Sequence, residues 1–191
     1  MNEPPRRRRL KRRGPSEGVV TVFVSDEQAA ITIDVERWQQ LALAVLADEG
    51  VEGEAELSVM FVDEETIGDL NLRFMETDGP TDVLSFPIDG EPNVPGRWPD
   101  AGGPGPDRIE NDPEDLPLLL GDVVICPLVA ERNAPTHAGS FTDEVALLVV
   151  HGILHLLGMD HAEEPERVEM QNRERELLDA HYGPLTADPW A

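Results

Sequence analysis

Five histidines occur in the 191-residue chain, and three of them fall within eleven residues: His151-Gly-Ile-Leu-His155-Leu-Leu-Gly158-Met-Asp160-His161. A spacing of four places His151 and His155 on one helix face, with Cβ atoms about 5–6 Å apart, so both imidazoles reach one ion. Gly158 allows the positive φ that ends a helix, and the chain can then turn His161 back to the same point. Three neutral ring nitrogens around a tetrahedral ion leave one position for water, as in catalytic rather than structural zinc centres. A lone histidine in an apolar helix is usually a core residue with one hydrogen bond. Two of them, followed by a glycine and a third, need more partners than an apolar helix supplies. The spacing therefore predicts one Zn²⁺ on His151, His155 and His161; imidazole ligands also suit Ni²⁺ and Co²⁺.

The metzincin peptidases share this spacing but carry glutamate directly after the first histidine as general base. Here that position is Gly152, which cannot take a proton. Losing a positioned proton acceptor costs typically about 10²–10⁴-fold in rate, so the metal pattern is kept without the peptidase chemistry. Other polar residues nearby have two readings each. Asp160 either accepts a ring N–H from a ligand histidine or bonds local backbone in a turn. Glu144 lies two turns, about 10.5 Å, before His151, too far to be a ligand. It either meets substrate at the cleft or is an acid favoured by the helix N-terminus, the simpler account. His137 either lines the cleft or stands in solvent. Thr81, Asp82 and Ser85 either wall the site or serve as turn and edge residues. Cys126 is expected to be buried and inert, and His181 to cap the end of a surface helix.

The elements that position these groups are legible in outline. Residues 19–24 and 30–33 read as short β-rich runs. Asp34 caps a helix with Trp38, Leu41, Val45 and Leu46 on one face, and residues 56–62 form a strand. Asp63 caps a second helix to about Phe74, with Ile67, Leu70 and Phe74 aligned. A turn at 78–80 precedes a strand at 82–86. Twelve of residues 89–117 are Gly or Pro, which excludes a continuous helix or central strand and marks a surface insertion. A strand at 118–125 resumes the same core, and a short helix follows near Val129. The metal helix begins near Phe141, with Ser140 and Asp143 as a capping pair, and stops at Gly158. A polar helix spans about 165–181. The reading is thus a basic disordered tail at 1–18, one domain at 19–182 and a C-terminal tail at 183–191.

Composition restricts the setting. The net charge is −24, yet residues 1–13 hold seven basic residues against one acid, so the remainder carries −30. A generic nucleic-acid binder needs a broad positive surface, and this chain lacks one. The acidity suits solubility or a salty cytoplasm. One cysteine excludes a disulfide framework. The apolar stretch at 145–159 is too short to span a bilayer, and the basic head lacks the apolar run of a secretory signal. A soluble cytoplasmic protein is expected, with no membrane partner. The basic head is read as disordered, with RNA or ribosome contact as the second possibility.

Three blocks resemble one family. HGILHLLGMDH is similar to the H-G-x-L-H-L-x-G-[YFM]-D-H signature of the YbeY endoribonucleases. Leu70-Asn71 followed by Asp78-Gly-Pro-Thr-Asp-Val-Leu-Ser-Phe-Pro87 resembles that family's second block, and Gly121-Asp-Val-Val-Ile125 its GDI-type strand. The resemblance runs from about 19 to 182. It implies an α/β (α+β) domain with a small mixed sheet packed with helices, a zincin-like metal helix, and zinc on the three histidines. It also implies metal-dependent cleavage of single-stranded RNA in 16S rRNA 3′-end maturation and ribosome quality control, with rRNA and the ribosome or its proteins as partners. The family's substrate arginine falls at Met75 here, which leaves Arg73, two residues away, as its replacement or as a solvated helix residue. Arg97, Arg108 and Arg132 are further candidates for RNA contact. Asp160, Glu144 and Arg73 are the candidate catalytic residues. The competing functions are a metzincin-like metallopeptidase and a non-catalytic, ribosome-associated metal-binding protein.

Overall fold

The computed structural model describes residues 18–88 and 117–191, so the basic head and nearly all of the Gly/Pro insertion, with Arg97 and Arg108, lie outside the described residues. Strand β1 (Val20–Asp26) leads into α1 (Val35–Asp48), β2 (Ala55–Phe61) and α2 (Glu64–Met75). Then come β3 (Val83–Pro87), β4 (Leu118–Ile125), α3 (Pro127–Asn133), a 3₁₀ turn at Ala134–Thr136, α4 (Phe141–Leu156) and α5 (Glu164–His181). The four strands form one mixed sheet in the order β1-β2-β4-β3. β1, β2 and β4 are parallel and β3 runs antiparallel along β4. This is the α/β domain with a small mixed sheet that the family resemblance implied.

Helix starts follow local chemistry. The carboxylates of Asp34 and Asp63 accept from the amides of Arg37 and Thr66, and the Ser140 hydroxyl accepts from that of Asp143. Trp38, Leu41, Val45 and Leu46 are buried as their spacing predicts. One expected strand does not form. At 30–33 the Gln28 side chain takes the amides of Ala30 and Ile31 and donates to the Ile31 carbonyl, so a side chain occupies the groups a strand neighbour would use.

Helix α4 is apolar on nearly every face because it is covered on nearly every side. It packs on β3 and β4, on α1, on α3 and on α5. Val145, Ala146, Val149, Val150, Ile153 and Leu154 are fully buried. A closer approach is set at Gly152, where a Cβ would stand 2.5 Å from a methyl of Val123 on β4 and 3.2 Å from the Ser85 hydroxyl on β3. The Ser85 hydroxyl donates to the Gly152 carbonyl across this contact at 3.2 Å. The polar α5 buries only Met170, Glu174, Leu177 and Leu178, a single stripe with a carboxylate in its middle. Residues 183–191, expected as a tail, lie against the domain. The Thr186 amide and hydroxyl donate to Asp143, which also accepts from the Tyr182 hydroxyl, and the Ala187 amide donates to the Ala138 carbonyl. A buried carboxylate at the start of α4 thus organises the end of the chain.

Candidate metal centre

The last turn of α4 places the three histidines. Gly158 has φ of +91°. Its amide bonds the His155 carbonyl, and the Met159 amide bonds that of Leu154, the paired bonds of a Schellman stop. The chain then doubles back. Ring centroids of His151 and His155 lie 4.5 Å apart, those of His151 and His161 5.4 Å, and those of His155 and His161 4.9 Å. One nitrogen from each ring falls within 4.8 Å of the other two, so the three can hold one ion.

The protons on two of these rings are assigned by their partners. His151 Nδ1 lies 2.7 Å from a carboxylate oxygen of Glu174, and His155 Nδ1 lies 3.0 Å from the Met159 carbonyl. A carbonyl and a carboxylate accept only, so each Nδ1 carries the hydrogen and each Nε2 a bare lone pair. Those two Nε2 atoms face each other at 3.1 Å. Two lone pairs so placed repel unless a cation sits between them, and nitrogens about 2.0–2.1 Å from a tetrahedral zinc stand at a similar separation. Burial, with the neighbouring His151 and His161, pushes the His155 pKa down to about 4, which keeps the ring neutral and able to ligate at pH 7. The donor set fits a divalent ion that favours imidazole.

Glu174 is the residue that sequence reasoning missed. Its side chain is 4% exposed, and its second oxygen accepts from the Trp190 indole N–H at 2.7 Å. The signal was present, since Glu174 occupies a core position in the α5 stripe between Met170 and Leu177. Of the candidates named from sequence, Asp160 takes its turn reading: it is exposed, and its carboxylate accepts from the His161 amide rather than from a ring. Glu144 takes its helix-start reading: it lies in the first turn of α4, and it is fully buried, so it is not open to substrate. It holds His137 Nδ1 at 2.9 and 3.0 Å and accepts from the Ala138 amide. Arg73 is exposed on the last turn of α2, with its guanidinium over the adjacent Phe74 ring. Arg132 is paired with Glu64. Cys126 is buried, and burial pushes its thiol pKa up. His181 pairs with Asp48 at the surface.

A cleft of about 310 Å³ opens beside the cluster. Asp82, His137, His151, His161, Glu174 and Trp190 are among the residues that line it. Arg167 of α5 also lines it, an arginine not among those expected to contact RNA. Of Thr81, Asp82 and Ser85, Asp82 alone lines the cleft, and it also accepts from the Asn133 amide group.

Fold and cluster together define a class: α/β domains that converge three imidazoles, at positions i, i+4 and i+10, on the end of one central helix beside an open cleft. Comparison with known proteins makes the class specific. The family model described as endoribonuclease YbeY matches residues 23–182, and the chain belongs to that family. Relatives named endoribonuclease YbeY include one from Thermobifida fusca, 46% identical over 160 residues, covering 83% of this chain and 92% of the relative. One from Acidothermus cellulolyticus is 46% identical over 162 residues, covering 84% and 91%. A solution structure of a Thermotoga maritima protein superposes with a TM-score of 0.53 at 26% identity, covering 85% of this chain and 90% of that one.

Proposed function

We propose that this chain is a metal-dependent endoribonuclease of rRNA maturation, with one zinc ion held by His151, His155 and His161. Single-stranded RNA is the substrate class, 16S 3′-end processing and ribosome quality control are the setting, and the cytoplasm is the location. The observation that carries the metal is the pair of bare Nε2 atoms facing each other at 3.1 Å. The RNA substrate rests on membership of the endoribonuclease YbeY family. When bound, zinc supplies a Lewis acid for a phosphoryl oxygen and lowers the pKa of a water molecule. The protein's own part is to hold the rings: Glu174 and the Met159 carbonyl fix two of them, and the Schellman turn brings in the third.

A peptidase of the metzincin kind is disfavoured by more than a missing base. Any side chain at position 152 would run into Val123, so the packing of α4 on β4 excludes the glutamate those enzymes use. The acidic body repels RNA. Among the described residues, Arg132, Arg167, Arg173 and Arg175 are already paired with carboxylates, which favours delivery of the substrate by the ribosome or its proteins.

The test measures metal content and cleavage together. Wild-type protein should carry zinc by elemental analysis and cut unstructured RNA but not casein, and a folded His155→Ala variant should lose metal and RNA cleavage in parallel. Proteolysis without RNA cleavage, or rRNA processing that survives His155→Ala in cells, would reverse the proposal.

A further inference from the structure

Glu144 is a fully buried carboxylate that the metal site does not use. A buried carboxylate is costly unless donors meet it, and this one receives two: the Ala138 amide at 3.1 Å and His137 Nδ1, within 3.0 Å of both oxygens. The arrangement spans the half-buried loop after the 3₁₀ turn and the first turn of α4. His137 follows the 3₁₀ turn, which its own amide closes onto the Ala134 carbonyl, and its side chain remains 42% exposed. Because the carboxylate accepts only, Nδ1 bears the hydrogen that binds Glu144, and Nε2 is the nitrogen left for the cleft. That cleft is the one lined by His151 and His161.

We propose that His137 is a second catalytic group, a general acid that protonates the leaving oxygen of the cleaved phosphodiester, and that Glu144 is its positioning residue. The inference rests on the nuclease reading above and assigns that reaction a proton donor separate from the three ligand histidines. In the step, a hydroxyl oxygen forms a bond to phosphorus and its proton passes to solvent. The bond from phosphorus to the leaving oxygen breaks, and the Nε2 proton of the His137 imidazolium moves to that oxygen; solvent then returns a proton to Nε2. Glu144 holds the ring in the orientation this transfer needs and supplies the counter-charge to the imidazolium, as a buried acid does for a catalytic histidine elsewhere. His137 is not one of the three clustered histidines, so its loss should leave the ion in place.

The experiment compares wild type and His137→Asn on two RNAs. One is natural, and the other carries a bridging sulfur in place of the leaving oxygen at the linkage mapped from wild-type products. A thiolate departs without a proton. His137→Asn should keep the wild-type metal content and melting temperature and lose about 10²–10⁴-fold on the natural RNA in single-turnover assays. On the sulfur RNA it should lose less than about tenfold. Glu144→Gln, where it folds, should show the same selective defect to a smaller extent. Equal losses on the two substrates, no loss on the natural one, or a wild type slower on sulfur than on oxygen would overturn the assignment. A zinc-loaded wild type that cuts neither RNA would instead overturn the nuclease reading itself.

Discussion

Replacing Glu174 by glutamine changes one atom type at a position where the structure allows no substitute. Both carboxylate oxygens accept, one from His151 Nδ1–H and the other from the Trp190 indole N–H, each at 2.7 Å. Glutamine offers one acceptor and one donor. If its oxygen faces His151, its amide group meets the indole N–H donor to donor. If it faces Trp190, the amide donates to His151 Nδ1 and drives the ring hydrogen to Nε2, where the metal should bind. The first outcome leaves a buried donor unsatisfied at about 1–3 kcal/mol. The second removes a ligand in part of the population. Loss of such a supporting carboxylate typically lowers metal affinity about 10–100-fold, or about 1.4–2.7 kcal/mol. Competition against a chromophoric zinc chelator reads this directly. Trp190→Phe sharpens the test, because without the indole N–H the glutamine oxygen is free to face His151. Glu174→Gln should then cost less in the Trp190→Phe background than in wild type, a coupling visible in a double-mutant cycle. Affinity within about threefold of wild type, with no coupling to Trp190, would refute the tautomer argument.

Other outcomes follow from the same contacts. Gly152→Ala should destabilise the fold by about 1–3 kcal/mol in chemical denaturation, because its Cβ stands 2.5 Å from a Val123 methyl; Val123→Ala in the same chain should recover part of that loss. The metal-free protein should lose stability as the pH falls from about 6.5 to about 4. His155, depressed to about 4 when folded, binds its proton more readily unfolded, so its contribution is present above 6.5 and lost toward 4, on the order of 3 kcal/mol, read from urea midpoints along a pH series. Asp143→Ala should release residues 183–191, with faster amide exchange at Thr186 and Ala187 and a loss of about 1–3 kcal/mol. Cys126 should resist alkylation in the native protein and react once it is unfolded, since burial both shields the thiol and raises its pKa.

The sequence by itself determined whatever depends on near neighbours along the chain. Helical geometry sets the facing of His151 and His155, the hydroxyl of Ser140 and the carboxylates of Asp34 and Asp63 start their helices, and Gly158 stops α4 because it tolerates a positive φ. Those rules act over a few residues, so they could be read without a fold. They failed at 30–33, where apolar residues suggested a strand and Gln28 had already claimed the backbone groups. The partners of the site were decided otherwise. Among 39 acidic residues, nothing local marks Glu174 as the one that meets His151, 23 residues earlier, or Glu144 as the one that meets His137. Those pairings exist because α5 packs its buried stripe on α4 and because the loop before α4 folds over its first turn. Which imidazole nitrogen is bare, and which side chains line the cleft, are therefore products of side chains meeting across elements, and such meetings depend on how whole surfaces fit together.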